Sequence, residues 1–340
     1  MTTIPAPSSA KHLKRILTKI HTFFFQPASP RPLAALRIGL ALTLLAQAFF
    51  VRHEILRLFA EGGLVQSALA QYLGHPAAPK ISWLAPLFDG LGFSEDAPVV
   101  VVCWVYAGSL VFLGLGLFTR ISSVVAWLLH WTLMSTGNTS NYGVDLYAQI
   151  FLYYLMFAPA GDAWSLDVLR TGGNASPSVA SRFVLRIMQL HLCLAYLASG
   201  IEKASGSQWW DGELLWRAFM LPVYHQFDMT WLARWPAISM VAGWSTLVFE
   251  LGYCIFIWPR QTRRFWVLSI ASLHLGIVIF LGLGVFGVIM SILTLTIFGI
   301  SAEPGTGLIA AAKVPKPMVE RGTAFDDIID IAGDSPHPVL

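Results

Sequence analysis

The chain has 340 residues, of which 56% are hydrophobic and 12% are charged. An ordinary soluble domain has roughly a quarter charged residues, so this composition, with a mean hydropathy of +0.63, excludes that class and indicates an integral membrane protein. The formal net charge of +3 is too small, and the basic residues too dispersed beside apolar segments, to indicate binding of nucleic acid.

Apolar runs divide the chain into about eight segments long enough to be membrane-spanning helices. In chain order they are Leu33 to Val51, Ala97 to Phe118, Ile121 to Gly137, Val144 to Pro159, Phe183 to Gly200, Ala237 to Trp258, Phe265 to Gly282, and Val285 to Ile300. These runs predict an all-α, polytopic helical bundle at residues 28–300. A basic segment, 1–27, precedes it, and residues 301–340 are expected to be a loosely ordered tail.

The segment from Arg52 to Asp96 separates the first two spans and is too polar to cross a bilayer. Its Trp83, Phe88 and Phe93 predict short helices at the membrane interface. Basic residues collect at the N-terminus and in alternate loops. Because positively charged loops remain on the cytoplasmic side, the sequence predicts a multi-pass protein of a bacterial inner membrane, with both termini in the cytoplasm.

Ionisable side chains lie within the apolar segments or at their ends. They are His130, Asp145, His191, Glu202, Lys203, Glu250 and His274. Each costs about 2.5–3.5 kcal/mol to insert, so such residues are candidates for a functional site. A single histidine on an apolar helix is more often a structural residue, but several at matched depths favour a site.

Lys203 closes the fifth span. A lysine at a helix end can simply extend its ammonium to the lipid headgroups. Gln189, Tyr196 and Ser199, however, share the helix face of Lys203. A face that is polar along much of its length is typical of a helix that lines a cavity rather than one that faces lipid.

Two tryptophans, Trp209 and Trp210, follow Lys203 within a Gly-rich stretch. One interpretation places them in the aromatic belt at the membrane interface. The other makes them a lid over a pocket for a planar, lipid-soluble ligand.

A rise of about 1.5 Å per residue arranges the other polar groups in layers. His191 lies about 18 Å from Lys203, and Glu250 lies at a similar depth, so these two residues are expected to form a buried pair. His130 and His274 lie about 10–12 Å from the outer ends of their own helices by the same count.

Asp145 begins the fourth span, and Asn141 precedes it. Asp145 favours the positive end of the helix dipole, and Asn141 is a suitable cap. The sequence leaves open whether these residues are structural or belong to the site.

Metal and nucleotide motifs are missing from the sequence. No helix carries a His-x-x-x-His or Glu-x-x-His pair, so no metal is predicted. The three cysteines lie in apolar segments and predict no disulfide framework.

Short motifs across about residues 28–300 resemble the bacterial horizontally transferred transmembrane (HTTM) domain, which is similar to the membrane part of vitamin K-dependent gamma-carboxylase. These motifs are Arg37-Ile-Gly-Leu, Gly114-Leu-Gly-Leu-Phe-Thr-Arg120, Gly143-Val-Asp145 with Pro159 and Trp164-Ser-Leu-Asp167, and Gly200-Ile-Glu-Lys203 with Trp210-Asp-Gly212. The resemblance implies that Lys203 deprotonates a quinol and that His274 is a site histidine.

Two features differ from the carboxylase. Glu202 stands where the carboxylase helix has a second lysine, and a nearby carboxylate favours the ammonium form of Lys203. Only about 40 residues follow the last span, which is expected to be too few to hold a protein substrate.

The resemblance thus predicts a gamma-carboxylase-like membrane protein that acts on a quinol or another lipid-soluble substrate. Lys203 is the expected general base, and Asp145, Glu202 and His274 tune it. Trp209, Trp210, Tyr196, Gln189, His130 and Asn141 are the expected pocket residues. A quinone or hydroquinone is the expected cofactor.

Two other functions fit the same sequence, with membrane lipids as partners in every case. In the first, the chain is a non-catalytic membrane partner in the maturation or export of a small secreted peptide. In the second it is a transporter, although no inverted repeat supports this.

Overall fold

The computed structural model describes residues 8–59, 63, 72, 75–137, 142–173 and 175–303, with side chains from residue 12 onward. Within these ranges the regular elements are helical, apart from one bridge between Ala28 and Ser178. The all-α prediction is therefore confirmed. Asn141 and the predicted tail from residue 304 onward lie outside the described residues.

The helices are α1 (Ser8–Phe25), α2 (Arg31–Val51), α3 (Ile55–Phe59), α4 (Ala85–Gly90), α5 (Ala97–Leu115), α6 (Thr119–Thr136), α7 (Gly143–Phe157), α8 (Leu166–Thr171), α9 (Val179–Ala204), α10 (Ser207–Trp210), α11 (Glu213–Met220), α12 (Pro236–Phe256), α13 (Arg260–Leu281) and α14 (Gly284–Thr294). A π-helical turn, Leu295–Gly299, extends α14. Short 3₁₀ turns occur at Ile81–Trp83, Pro222–Tyr224 and Thr230–Arg234.

Each of the eight predicted spans corresponds to one helix. Among the described residues, α2, α5, α9, α12 and α13 are long and apolar enough to cross a membrane, while α7 and α14 with its π turn are apolar but shorter. Five such helices make this a membrane protein. Thr and Ser residues reduce the hydropathy of α6, and a total of about eight spans stays a prediction.

The long helices form two groups joined by α14. In the first group α2 packs on α5, α5 on α6 and α6 on α7. In the second group α9 packs on α12, and α12 on α13. Because α14 contacts α2, α7 and α13, the groups share one core that contains Leu36, Leu110, Phe151 and Leu293.

A buried arginine ties the first group together. Arg37 on α2 is fully buried, and its guanidinium donates to Leu113 O at 2.8 Å and to Trp164 O at 2.6 Å. Leu113 lies in the last turn of α5, whose carbonyls lack partners within the helix. Gly116 ends α5 with φ +68°, and a side chain there would collide with Arg37 and Ser165.

Asp167, in the first turn of α8, caps the start of α6. Its carboxylate accepts hydrogen bonds from the backbone N–H groups of Phe118 and Thr119, at 2.9 and 2.8 Å, and from the Thr119 hydroxyl. Partial burial acts to raise the pKa of this carboxyl, but these hydrogen bonds and Arg170 hold the pKa below its usual value.

Two glycines shape the hairpin between α13 and α14. Gly282 makes the turn with φ +68°, and Gly287 lets α14 approach α13. A Cβ at Gly287 would lie 2.5 Å from His274 O, a backbone atom, and would collide with Val278. The glycines therefore serve both as a turn and as a helix contact.

We expect Gly287→Val to destabilise the protein by about 1–3 kcal/mol, because overpacking forces the helices apart. Gly284→Ala is the matched control, since a Cβ at Gly284 meets nothing within 4 Å. Thermal unfolding of the purified variants in detergent measures the difference. Equal midpoints for the two variants would contradict the close packing of α13 on α14.

Candidate functional site

The site is built around an ion pair between α9 and α12. Lys203, the penultimate residue of α9, places its Nζ 2.7 Å from Glu250 Oε2 and 2.9 Å from Glu250 Oε1. Nζ also donates to Ser199 Oγ, one turn earlier on α9. The Glu250 side chain is 7% exposed and that of Lys203 is 23% exposed. The carboxylate is thus inside the bundle, while the ammonium reaches its surface.

Gly200 permits this close contact between α9 and α12. Gly200 lies against Leu251, and a Cβ on Gly200 would come within 3.1 Å of Leu251 N. Without a side chain at Gly200, the backbones of α9 and α12 approach closely beside the ion pair.

Lys203 forms part of the wall of a cavity of about 640 Å³. The lining residues are Glu202, Lys203, Ser205, Gly206, Ser207, Gln208, Trp209 and Leu214. Lys203 Nζ lies 5.4 Å from the centre of the Trp209 ring, within the range of a cation–π contact. Glu202 is exposed at the rim, so Glu202 and Lys203 have different surroundings, as adjacent helical residues do.

The second tryptophan fastens the loop instead of lining the cavity. Trp210 Nε1 donates to Ala204 O at 2.8 Å, which satisfies a carbonyl at the end of α9. Trp210 O accepts from Trp244 Nε1 at 2.8 Å, which joins the loop to α12. Trp209 therefore lines the cavity, and Trp210 holds the loop in place.

A layer of aromatic and polar side chains lies behind the ion pair. Tyr196 OH and His274 Nε2 are 2.8 Å apart and join α9 to α13. The Tyr196 and Tyr253 rings pack with centroids 4.3 Å apart, and the Tyr253 hydroxyl is 3.3 Å from Thr294 Oγ1.

His274 has an unsatisfied atom. The residue is 3% exposed, and its buried Nδ1 has no hydrogen-bond partner among the described residues. Most buried polar atoms are paired, so such an atom calls for an explanation by strain, function or an unseen partner. His274 is bonded to Tyr196, whose ring packs on Tyr253, one turn after Glu250 on α12, and His274 is not among the cavity-lining residues.

The predicted pair of His191 with Glu250 is wrong. Glu250 binds Lys203, whereas His191 Nδ1 lies 2.9 Å from the hydroxyl of Tyr154 on α7. The depth argument assumed that α9 and α12 end at the same level.

The structure shows why that assumption fails. The first turns of α12 extend beyond the last residue of α9. The loop that carries Trp209 and Trp210 packs against these turns. Trp209 O lies against Gly243, and Gly212 lies against Met240. Glu250 is therefore level with the end of α9, not with its middle.

Other predicted pocket residues lie elsewhere. Gln189 donates to Ile297 O at 2.9 Å and accepts from Arg186 at 2.7 Å, nearer the start of α9. His130 Nδ1 lies 2.9 Å from the Tyr106 hydroxyl, in a polar cluster between α5, α6 and α7. Of the predicted pocket set, Trp209 lines the cavity and Tyr196 lies behind it.

Asp145 caps its own helix. Its carboxylate accepts from Tyr142 N at 3.0 Å, and its backbone carbonyl lies 3.2 Å from His130 Nε2. These contacts match the structural alternative for Asp145. No group of three His, Cys, Asp or Glu side chains suited to a metal ion occurs in the described part of the chain.

The sequence argument missed two contributors. Ser199 was placed on the Lys203 face, yet its i, i+4 spacing already marked it as a direct partner of Lys203. Leu214 carried no detectable signal, because it enters the cavity from α11 and not through a pattern shared with Lys203.

Comparison with known proteins identifies one family. Residues 25–301 match the family described as HTTM domain. No curated protein and no solved structure matches the chain.

Proposed function

The chain belongs to the HTTM domain family, which is related to the membrane part of gamma-carboxylase, and on that premise we propose that it binds a lipid-soluble quinol beside Lys203 and removes a proton from it. One observation carries the proposal. Lys203 Nζ lies in a cavity wall near the Trp209 ring and also contacts both carboxylate oxygens of Glu250. Lys203, bonded to a carboxylate that can take its proton, thus borders a space that a ring can enter in this proposal.

The cavity chemistry suits a quinol. The face of Trp209 and the side chain of Leu214 provide apolar contact for a planar ring, while Lys203 provides one polar group that orients a hydroxyl. The volume of about 640 Å³ lies within the range typical of small-molecule sites.

Lys203 and Glu250 act as a unit in this proposal. An ammonium has no lone pair with which to accept a proton. If Nζ first gives one proton to Glu250, the pair becomes neutral without a change in total charge, which a site of low dielectric tolerates. The amine then accepts the hydroxyl proton, and the new ammonium faces the negative charge left on the ligand oxygen.

His274 is a positioning residue in this scheme. It is bonded to Tyr196, whose ring packs on Tyr253, one turn after Glu250 on α12, and its Nδ1 is buried without a hydrogen-bond partner among the described residues. Glu202, in contrast, is exposed at the rim and has a smaller expected influence, because water screens its charge.

The proposed setting is a bacterial inner membrane with both termini in the cytoplasm. Arg260 and Arg264 begin α13, and Arg186 lies near the start of α9, at the opposite end of that helix from Lys203. By the positive-inside rule, those starts face the cytoplasm and the cavity opens toward the outer leaflet.

Quinone retention tests the proposal. We expect gently purified native protein to carry near-stoichiometric quinone, and Lys203→Ala to lose at least about tenfold, the equivalent of one charged hydrogen bond. Lipid extraction followed by mass spectrometry measures this. Arg217→Ala is the control, since Arg217 is exposed, pairs with Glu213 and does not line the cavity. Native protein without quinone, or an unchanged Lys203→Ala, would contradict the proposal.

A second candidate function rests on the same ion pair. The described protein supplies every acceptor that Lys203 contacts, as in a pair that only joins α9 to α12. In that case the chain is a non-catalytic partner in the maturation or export of a secreted peptide, and purified native protein carries no quinone.

A further inference from the structure

Helix α1 is amphipathic and its apolar face is exposed. Leu13, Ile16, Leu17 and Ile20 follow the i, i+3, i+4, i+7 pattern that places side chains on one helix face. Their side chains are 41–58% exposed. With four Lys and Arg residues among its 18, α1 is too polar to span a bilayer. The helix is about 27 Å long and must therefore lie outside the hydrocarbon core.

The opposite face of α1 is positively charged. Lys14, Arg15 and Lys19 are all exposed there. No Asp or Glu precedes Glu54 in the sequence, so no acidic residue of α1 itself neutralises the charge. A partner that covers α1 must therefore offer both an apolar layer and negative charge.

The end of α1 is fixed to the start of α9. The Phe25 and Phe183 rings stack with centroids 5.8 Å apart. Arg186 Nε donates to Phe23 O at 3.2 Å, and Arg182 Nε donates to Gln26 O at 2.8 Å. Because α9 is an apolar spanning helix, these contacts hold α1 where that span begins.

Further positive charge lies at the same end of the bundle. Phe23 packs on Trp258 with ring centroids 5.5 Å apart. Trp258 precedes α13, whose first turns expose Arg264 and Arg260, and Arg260 pairs with Glu303 at 3.4 Å. The charge of α1 thus continues a basic rim around one end of the spanning helices.

We propose that α1 lies flat in the headgroup layer of the bilayer that holds the bundle and binds anionic phospholipids. Its apolar face contacts the acyl chains, and Lys14, Arg15 and Lys19 contact lipid phosphates. A bilayer surface supplies both features that α1 requires, and helices with this pattern occupy that position. Negative lipid attracts each basic residue near the surface.

Spin labels on the full chain in vesicles test this proposal. In a background without Cys103, Cys193 and Cys254, a nitroxide is placed at Leu17→Cys on the apolar face or at Thr18→Cys on the polar face. The vesicles contain phosphatidylglycerol and phosphatidylcholine in equal parts, or phosphatidylcholine alone. Collision with oxygen reports the acyl region, and collision with a water-soluble nickel chelate reports exposure to water.

In anionic vesicles we expect the label at 17 to collide with oxygen and the label at 18 with nickel. In neutral vesicles, or with Lys14→Glu, Arg15→Glu and Lys19→Glu combined, the oxygen-to-nickel ratio at 17 should fall at least about fivefold, the value of one basic residue beside an anionic surface. Arg217→Glu with Arg234→Glu, exposed outside α1, is the control and should leave the ratio unchanged.

Two results would overturn the proposal. If the labels at 17 and 18 are equally open to nickel in anionic vesicles, α1 does not lie on the membrane. If the label at 17 collides with neither oxygen nor nickel in neutral vesicles and in the triple variant, protein covers this face. Dipolar broadening between labels would then identify a second copy of the chain, and its absence would identify another segment of the same chain.

Discussion

Lys203→Met combined with Glu250→Leu is expected to unfold near the native temperature yet to lose quinol deprotonation by at least about 100-fold. Either change alone is expected to destabilise the protein by about 3–5 kcal/mol, because it leaves one buried partner uncompensated. Apolar side chains of similar volume remove both charges together and restore the packing of α9 on α12.

The double variant separates the two roles of the ion pair. Thermal unfolding in detergent reports the structural role, and the rate of quinol oxidation by oxygen reports the chemical role. Full stability with no activity supports proton transfer by the pair. Full stability with native activity would show that the pair only joins two helices. Gln208→Ala, in the same cavity wall, shows how much a loss of lining alone contributes.

The sequence predicted the helices well because their signal is local. Each apolar run is continuous enough to predict a helix, and all eight predicted segments coincide with helices. The end of α9 was also predictable, since Lys203 is followed within six residues by Gly206 and Trp209. These features depend on neighbours in sequence and need no knowledge of how the helices pack.

The partner of Lys203 was not predictable in this way. Glu250 is 47 residues away, and its height depends on how far α12 extends past α9. That extension arises from the contacts of Gly243 and Gly212 with their neighbours across α10–α12, which no periodicity reveals. Counting residues from a helix end fixes depth only when the helices end together.

Arg37 belongs to one of the family motifs but not to the set of ionisable residues that the sequence marked as site candidates. Arg37 is fully buried, and among the described residues its guanidinium donates to two carbonyl oxygens. An arginine is not deprotonated in a protein, so Arg37 does not serve as a base. Lys203 differs in both respects, because it has a carboxylate partner and borders a cavity. Burial of a charge alone therefore does not distinguish a site from a structural anchor.

We expect Arg37→Ala to lower the thermal midpoint by on the order of 10 °C. The change leaves the carbonyls of Leu113 and Trp164 without their donors and opens a cavity at the end of α5, at a combined cost of about 3–5 kcal/mol. Arg37→Lys should lose about half as much, because one ammonium lacks the fork that reaches two carbonyls.

Arg31→Ala is the control for Arg37, since Arg31 lies exposed at the start of the same helix, where substitutions stay within about 0.5 kcal/mol. Because Arg37 joins α2 to α5 and to the loop before α8, its loss should loosen the first helix group and leave quinone retention by the folded fraction unchanged. A loss of retention in folded Arg37→Lys would instead couple this corner to the Lys203 site, 166 positions away in the sequence.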